Sequence, residues 1–122
     1  MSEGCVVALV RDLMDRLNIA DTAQRLGIQV HFLADGDAPE ESLRRHEPSL
    51  VIVDISTEPE RWLGLVAAAK AGENPLRVLA FGRHTDREGR RLARGAGCDR
   101  VLANSRFFTE MAPLLRRWTR PG

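Results

Sequence analysis

Residues 50–55 read Leu50-Val51-Ile52-Val53-Asp54-Ile55. The run is continuously apolar and β-branched up to its acid, without the apolar–polar alternation of a strand that has one wet face. That pattern fits a strand covered on both sides in a parallel sheet, so the run is expected near the sheet centre. Four further short runs have strand character, at residues 5–10, 29–34, 77–81 and 100–102. Segments with helical spacing lie between them. Leu13, Leu17, Ala20, Ala23 and Leu26 recur at three- and four-residue steps and stop at Gly27, a favourable residue just past a helix end. Ser56 or Thr57 can cap a helix with Pro59 in its first turn, Trp62, Val66 and Ala69 on its stripe, and Gly72 beyond it. Asp86 can cap the arginine-rich stretch that closes at Gly95 or Gly97, and Ser105 a last helix bearing Phe107, Met111, Leu114 and Trp118. Residues 40–45 have the least support, with Leu43 as their apolar anchor. Strand and helix thus alternate five times, which predicts parallel strands joined by right-handed crossovers between two helical layers. A single three-layer, doubly wound α/β domain over residues 1–122 is expected, with its binding crevice at the carboxyl ends of the strands.

Composition narrows the function classes. The 122 residues suit one domain, and 43% apolar with 29% charged side chains is ordinary for a folded chain and argues against disorder. The first apolar run has six residues, against about 20 for a membrane helix and about 7–15 for a signal peptide, so a cytoplasmic protein without membrane contact is expected. Cys5 and Cys98 have no second pair to complete a zinc site and begin strands away from the crevice, so a disulfide framework, a structural metal and a reactive thiol are all poor readings. No G-x-x-x-x-G-K-[ST] loop, G-x-G-x-x-G turn or G-x-S-x-G elbow occurs, and His31, His46 and His84 have no ligand spacing. Catalysis is the least supported class; the chain is expected not to be an enzyme. The net charge of +1 conceals an asymmetry: residues 1–73 carry 7 basic and 13 acidic groups, residues 74–122 carry 11 and 4, giving −6 and +7.

The order of elements and their terminal residues resembles the receiver domains of bacterial two-component response regulators, over nearly the whole chain. In that family an acidic pair ends the first strand, a phosphoacceptor aspartate the third, Thr or Ser the fourth, and Lys, usually before Pro, the fifth. Asp54 in SLVIVDIS falls on the phosphoacceptor position and Asp12 in VALVRD on the second acid of the pair. The resemblance implies a flavodoxin-like sheet of order 2-1-3-4-5. Elsewhere this chain departs from the pattern. Arg11 replaces the first acid, Gly82 the hydroxyl residue, Asn104-Ser105 the Lys-Pro, and Val101 the aromatic that commonly precedes the lysine.

Each departure has a physical meaning, because phosphoryl transfer to a carboxylate depends on positioning and on charge neutralisation around magnesium. Arg11 removes one anionic contribution and adds a fixed cation, so magnesium, whose ligands would be Asp12 and Asp54, is expected to bind poorly. No other cofactor is implied. Arg11 is expected to bond Asp54 or Asp12 by a charge-assisted contact that mimics a neutralised pocket. Equally, Arg11 can face solvent and Asp12 can be the N-cap of the first helix. The pocket is expected to gather Arg11, Asp12, Asp54, Gly82, His84, Asn104 and Ser105. A receiver-like regulatory module acting through protein–protein contacts, without conventional Asp54 phosphorylation, is the favoured reading. The alternative is a working phosphoacceptor in which His84, Thr85 or Ser105 compensates. The resemblance places the partner or self-association surface on the fourth helix, fifth strand and fifth helix, where Arg87, Arg90, Arg91, Arg94, Arg100 and Arg106 lie. Direct binding of nucleic acid through these arginines is a third, less favoured reading.

Overall fold

The strand Leu50–Asp54 (β3) is buried at every residue, because the chain covers it on both edges and both faces. The computed structural model describes residues 4–119. Five parallel strands form one sheet: β1 (Cys5–Leu9), β2 (Gln29–Phe32), β3, β4 (Arg77–Gly82) and β5 (Arg100–Ala103), in the order β2-β1-β3-β4-β5. This is the expected three-layer architecture. Alternate residues of each strand enter opposite layers, as the pleat requires. Val6, Ala8, Leu50, Ile52, Leu79 and Phe81 pack with Ile19 and Ala23 of α1 (Leu13–Arg25) and with the last two helices, α5 (Asn104–Thr109) and α6 (Met111–Trp118). Val7, Leu9, Val51, Val53, Val78 and Ala80 pack with Trp62, Leu65 and Val66 of α3 (Pro59–Lys70) and with Ala93 of α4 (Arg87–Gly95). The remaining helix, α2 (Pro39–His46), buries no residue completely, in keeping with its sparse apolar pattern.

Three local expectations are corrected. The apolar stripe assigned to α1 does not face the core at its start: Leu13 is 65% exposed and Leu17 53%, whereas Ile19 and Ala23 are buried. At 100° per residue Ile19 lies about 120° around the helix from Leu13, and the sheet selects the Ile19 face. Second, the expected single last helix is two. Pro113 has no N–H for the carbonyl four residues back, and the chain bends at Glu110 (φ −102°, ψ 15°) between α5 and α6. Phe107, Met111 and Leu114 are nonetheless buried, with the Phe107 ring stacked on Phe81 at 4.4 Å. Third, the N-cap of α3 is Glu58 and that of α5 is Ala103, neither with a side-chain bond, so Ser56, Thr57 and Ser105 do not cap. The caps expected at Gly27 (φ +74°) and Asp86, which accepts from the Gly89 N–H, are present.

Candidate functional site

Asp54 ends β3 and is 3% exposed. A carboxylate brought so far from water must be answered by donors. Its Oδ2 accepts from the Arg11 backbone N–H at 3.0 Å, and its Oδ1 accepts from the Ser56 backbone N–H at 2.9 Å and from the Ser56 hydroxyl at 2.7 Å. The Ser56 N–H contact closes an Asx turn, and the Thr57 hydroxyl donates to the Asp54 carbonyl at 2.7 Å. The segment from Asp54 to Thr57 is therefore a self-bonded loop tied to the end of β1 at Arg11.

The guanidinium of Arg11 is not the group that meets Asp54. Its Nη1 donates to the Ser56 carbonyl at 3.4 Å, and among the described residues no ion pair joins Arg11 to Asp54 or Asp12. The expected charge-assisted contact is corrected to a backbone contact, because Arg11 continues the line of β1 and presents its N–H to the neighbouring strand end. Asp12 takes the capping alternative: its Oδ1 accepts from the N–H groups of Met14 at 2.8 Å and Asp15 at 3.1 Å, at the amino end of α1. Asp15, one turn in, was not anticipated. Burial raises its carboxyl above the ordinary range, and the charges of Asp12 and Asp54 raise it further.

At the end of β4 the decisive neighbour is Ile55. A Cβ built on Gly82 would overlap Cγ1 and Cδ1 of Ile55, whose side chain is 5% exposed. The glycine and the isoleucine thus form one unit, in which an apolar group fills the volume that a residue-82 side chain would need.

The expected pocket divides in two. One cleft, about 540 Å³, lies at the ends of β1, β2 and β3 and is lined by Arg11, Arg16, Asp35, Ser56, Thr57 and Arg61, among others. A second cavity of about 260 Å³ is lined by Arg83, His84, Thr85, Ala103, Asn104 and Ser105. Asp54 and Gly82 line neither. Asn104 and Ser105 stand in the first turn of α5, and the buried Asn104 Oδ1 has no hydrogen-bond partner. Lys70, the chain's sole lysine, pairs with Asp99 at 2.6 Å; it ends α3, and Asp99 lies just before β5, at the opposite end of the sheet.

Comparison with solved structures places this geometry. A response regulator from Hahella chejuensis superposes with a TM-score of 0.77 at 15% identity, covering 93% of both chains. The receiver domain of the sensor histidine kinase PA1611 from Pseudomonas aeruginosa, which holds a magnesium ion in its active-site cleft, superposes with a TM-score of 0.78 at 19% identity, covering 95% of this chain and 97% of its own. The chain has the receiver fold. No protein-family model matches the sequence, and no curated protein matches it. A CheY-like protein, tadZ of Pseudomonas aeruginosa, has the same fold at a TM-score of 0.73 and 18% identity, over 93% of this chain and 98% of that one.

Within the receiver fold the arginines of the fourth helix and its surroundings are not equivalent. Arg87, Arg94 and Arg106 are exposed, Arg106 bonding Glu110 at 2.9 Å, and Arg91 bonds Glu88 at 2.8 Å. Arg90 instead folds back, donating from Nη2 to the His84 carbonyl at 2.7 Å, so it braces the loop after β4 instead of adding to a free basic face. Arg100 is half-buried in β5. Burial and Asp99 push the Cys98 thiol up to about 11, against an opposing effect of Lys70. Among the described residues no helix is long and apolar enough to cross a membrane, and no three His, Cys, Asp or Glu side chains are grouped to hold a metal. Ser56 and Ile55 follow the central strand, where site residues were expected, but their roles were not assigned: an Asx turn and a packing partner on the neighbouring strand have no motif of their own.

Proposed function

We propose that this receiver-fold chain is a non-catalytic regulatory module that works by protein–protein contact, with Asp54 serving structure in place of phosphoryl transfer. The observation that carries this reading is the set of three donors on the buried Asp54 carboxylate, all from its own chain. The Oδ2 oxygen keeps a lone pair beyond these bonds, yet the three donors stabilise the charge and fix the orientation of the carboxylate, which weakens it as a nucleophile and as a metal ligand. Asp12 is engaged as a helix cap, and an arginine stands where a first acid would lie, so the residues present do not fit a magnesium site. Ile55 over Gly82 removes the space for a hydroxyl that would respond to a phosphoryl group. What the fold then offers is surface, and the exposed arginines Arg87, Arg91, Arg94 and Arg106 make the region around α4 the best-suited face for an acidic protein surface.

Incubation with acetyl phosphate and magnesium, read by intact mass, tests the proposal. No phosphate adduct is expected. Near-stoichiometric labelling that vanishes in Asp54→Asn overturns it in favour of a phosphoacceptor.

A further inference from the structure

The larger of the two cavities at the strand ends gathers charged groups that the structural role of Asp54 leaves unused. It is lined from the ends of β1, β2 and β3, where the strand order turns, and doubly wound sheets bind their ligands at such a turn. Its volume of about 540 Å³ suits a metabolite, whose sites span about 300–1,000 Å³. Leu9 and Leu33, both buried, supply an apolar part. Three arginines border the cleft, each held by main-chain carbonyls. Arg11 donates from Nη1 to the Ser56 carbonyl at 3.4 Å, and Arg61 from Nη2 to the Ala34 carbonyl at 3.1 Å. Arg16 donates from Nε to the Val10 carbonyl at 2.7 Å and from Nη2 to the Arg11 carbonyl at 3.5 Å. A carbonyl fixes a guanidinium without cancelling its charge. Among the described residues neither Arg11 nor Arg16 has a carboxylate partner, and both keep N–H groups to spare. Arg61 pairs with Asp35 at 3.1 Å, and that carboxylate is fully exposed on a rim shared with Glu58.

The acids nearby set the kind of ligand. Asp12, Asp15 and Asp54 stand at the start of α1 and the end of β3, so the region has no surplus of positive charge and does not suit a polyanion. An oxyanion that brings its own donors does suit it. We propose that the cleft binds a small dipolar metabolite, with its carboxylate or phosphate head on Arg11 and Arg16, its N–H groups toward Asp35 and Glu58, and its body over Leu9 and Leu33. An amino acid and a nucleoside monophosphate share this chemistry. A guanidinium matches two oxygens of either head at once. Asp54 does not line the cleft, so the inference is independent of its role, and the labelling experiment and the one below can fail separately.

Amide shifts of the isotope-labelled chain, titrated to millimolar L-glutamine, adenosine monophosphate or inorganic phosphate, test it. Glutamine or the nucleotide should shift the amides around Arg11, Asp35 and Ser56 saturably, and the tighter of the two identifies the head. Inorganic phosphate should bind about tenfold or more weaker than that probe. Arg11→Gln and Arg16→Gln should each weaken the probe about tenfold, and Arg11→Gln keeps the main-chain amide that Asp54 accepts. Arg25→Gln, on the same helix but outside the cleft, should change nothing. Asp35→Asn should weaken the probe yet leave phosphate equal or tighter, because it releases Arg61. The proposal is overturned by no saturable shift with either probe, by binding that survives both arginine variants or Asp35→Asn, or by phosphate binding as well as the larger probes, an adventitious ion only.

Discussion

The carboxyl end of β3 and the carboxyl ends of β4 and β5 lie side by side in this receiver fold, yet they are built on opposite terms. At β3 the polar groups are answered locally: the Asp54 carboxylate by Ser56 and the Arg11 amide, the Asp54 carbonyl by Thr57. At β4 and β5 the space over Gly82 is taken by Ile55, but beyond it the ends are loosely filled, with exposed His84 and Ser105, a cavity of about 260 Å³ and an Asn104 oxygen lacking a partner. Three consecutive residues, Asp54, Ile55 and Ser56, set the contrast: Ser56 satisfies the carboxylate, and Ile55 takes the space over Gly82.

The comparison breaks most directly at Asp54. Replacement by alanine removes the acceptor of three donors on the exposed residues Arg11 and Ser56, which can turn to water, so at ~0.5–1.5 kcal/mol for each bond a destabilisation of about 2–4 kcal/mol is expected in urea unfolding. Asp54→Asn, which keeps an acceptor oxygen, should cost clearly less. A neutral Asp54→Ala would mean that the carboxylate is not structural.

Gly82→Thr forces a side chain onto Ile55 and is expected to cost about 1–3 kcal/mol by overpacking. Ile55→Ala should relieve much of that cost in the double variant, with an interaction energy of at least ~0.5 kcal/mol. Additive effects in that cycle would separate the two residues that the geometry joins.

Asp12→Ala removes the cap of α1 and should cost about 1 kcal/mol in the same assay. The loss should be recovered largely by Asp12→Ser, which a cap tolerates and a metal ligand would not.

The smallest effect lies at the β2 edge, away from both regions. His31 stacks on His46 of α2 with ring centroids 3.7 Å apart, and burial first, then the neighbouring His46, lowers its affinity for a proton below the ordinary value of 6.5. The unfolded chain then binds more protons below that value, so the contribution is complete above about pH 6.5 and is lost as the pH falls. Stability should decline slightly from pH 7 to pH 5.5, and His31→Gln should flatten that part of the profile. An unchanged slope in the variant would assign the dependence elsewhere.

Much of this was legible from residues 50–55 and the punctuation around them. A continuous apolar run can only be a strand buried on both faces here, and Gly27, Pro59 and Asp86 mark helix ends because their backbone or side-chain chemistry acts locally. The α1 stripe misled because Leu13 and Leu17 satisfy helical spacing as well as Ile19 and Ala23 do, and only the sheet decides which face it covers. Pro113 announced a break, but Phe107, Met111 and Leu114 continue a single stripe across it.

The same division holds at the site. Periodicity and local propensity are properties of neighbours along the chain, and they sufficed for the five-fold alternation, the parallel sheet, an acid at the end of the central strand and the unusual residues beside it. It took the folded chain to show that Arg11 reaches Asp54 through its amide and not its guanidinium, that Ile55 stands over Gly82, and that the expected pocket is two cavities. Those outcomes depend on the register of β1, β3 and β4 and on which volumes are already filled, and side chains brought together from distant positions settle such questions by packing and hydrogen bonding.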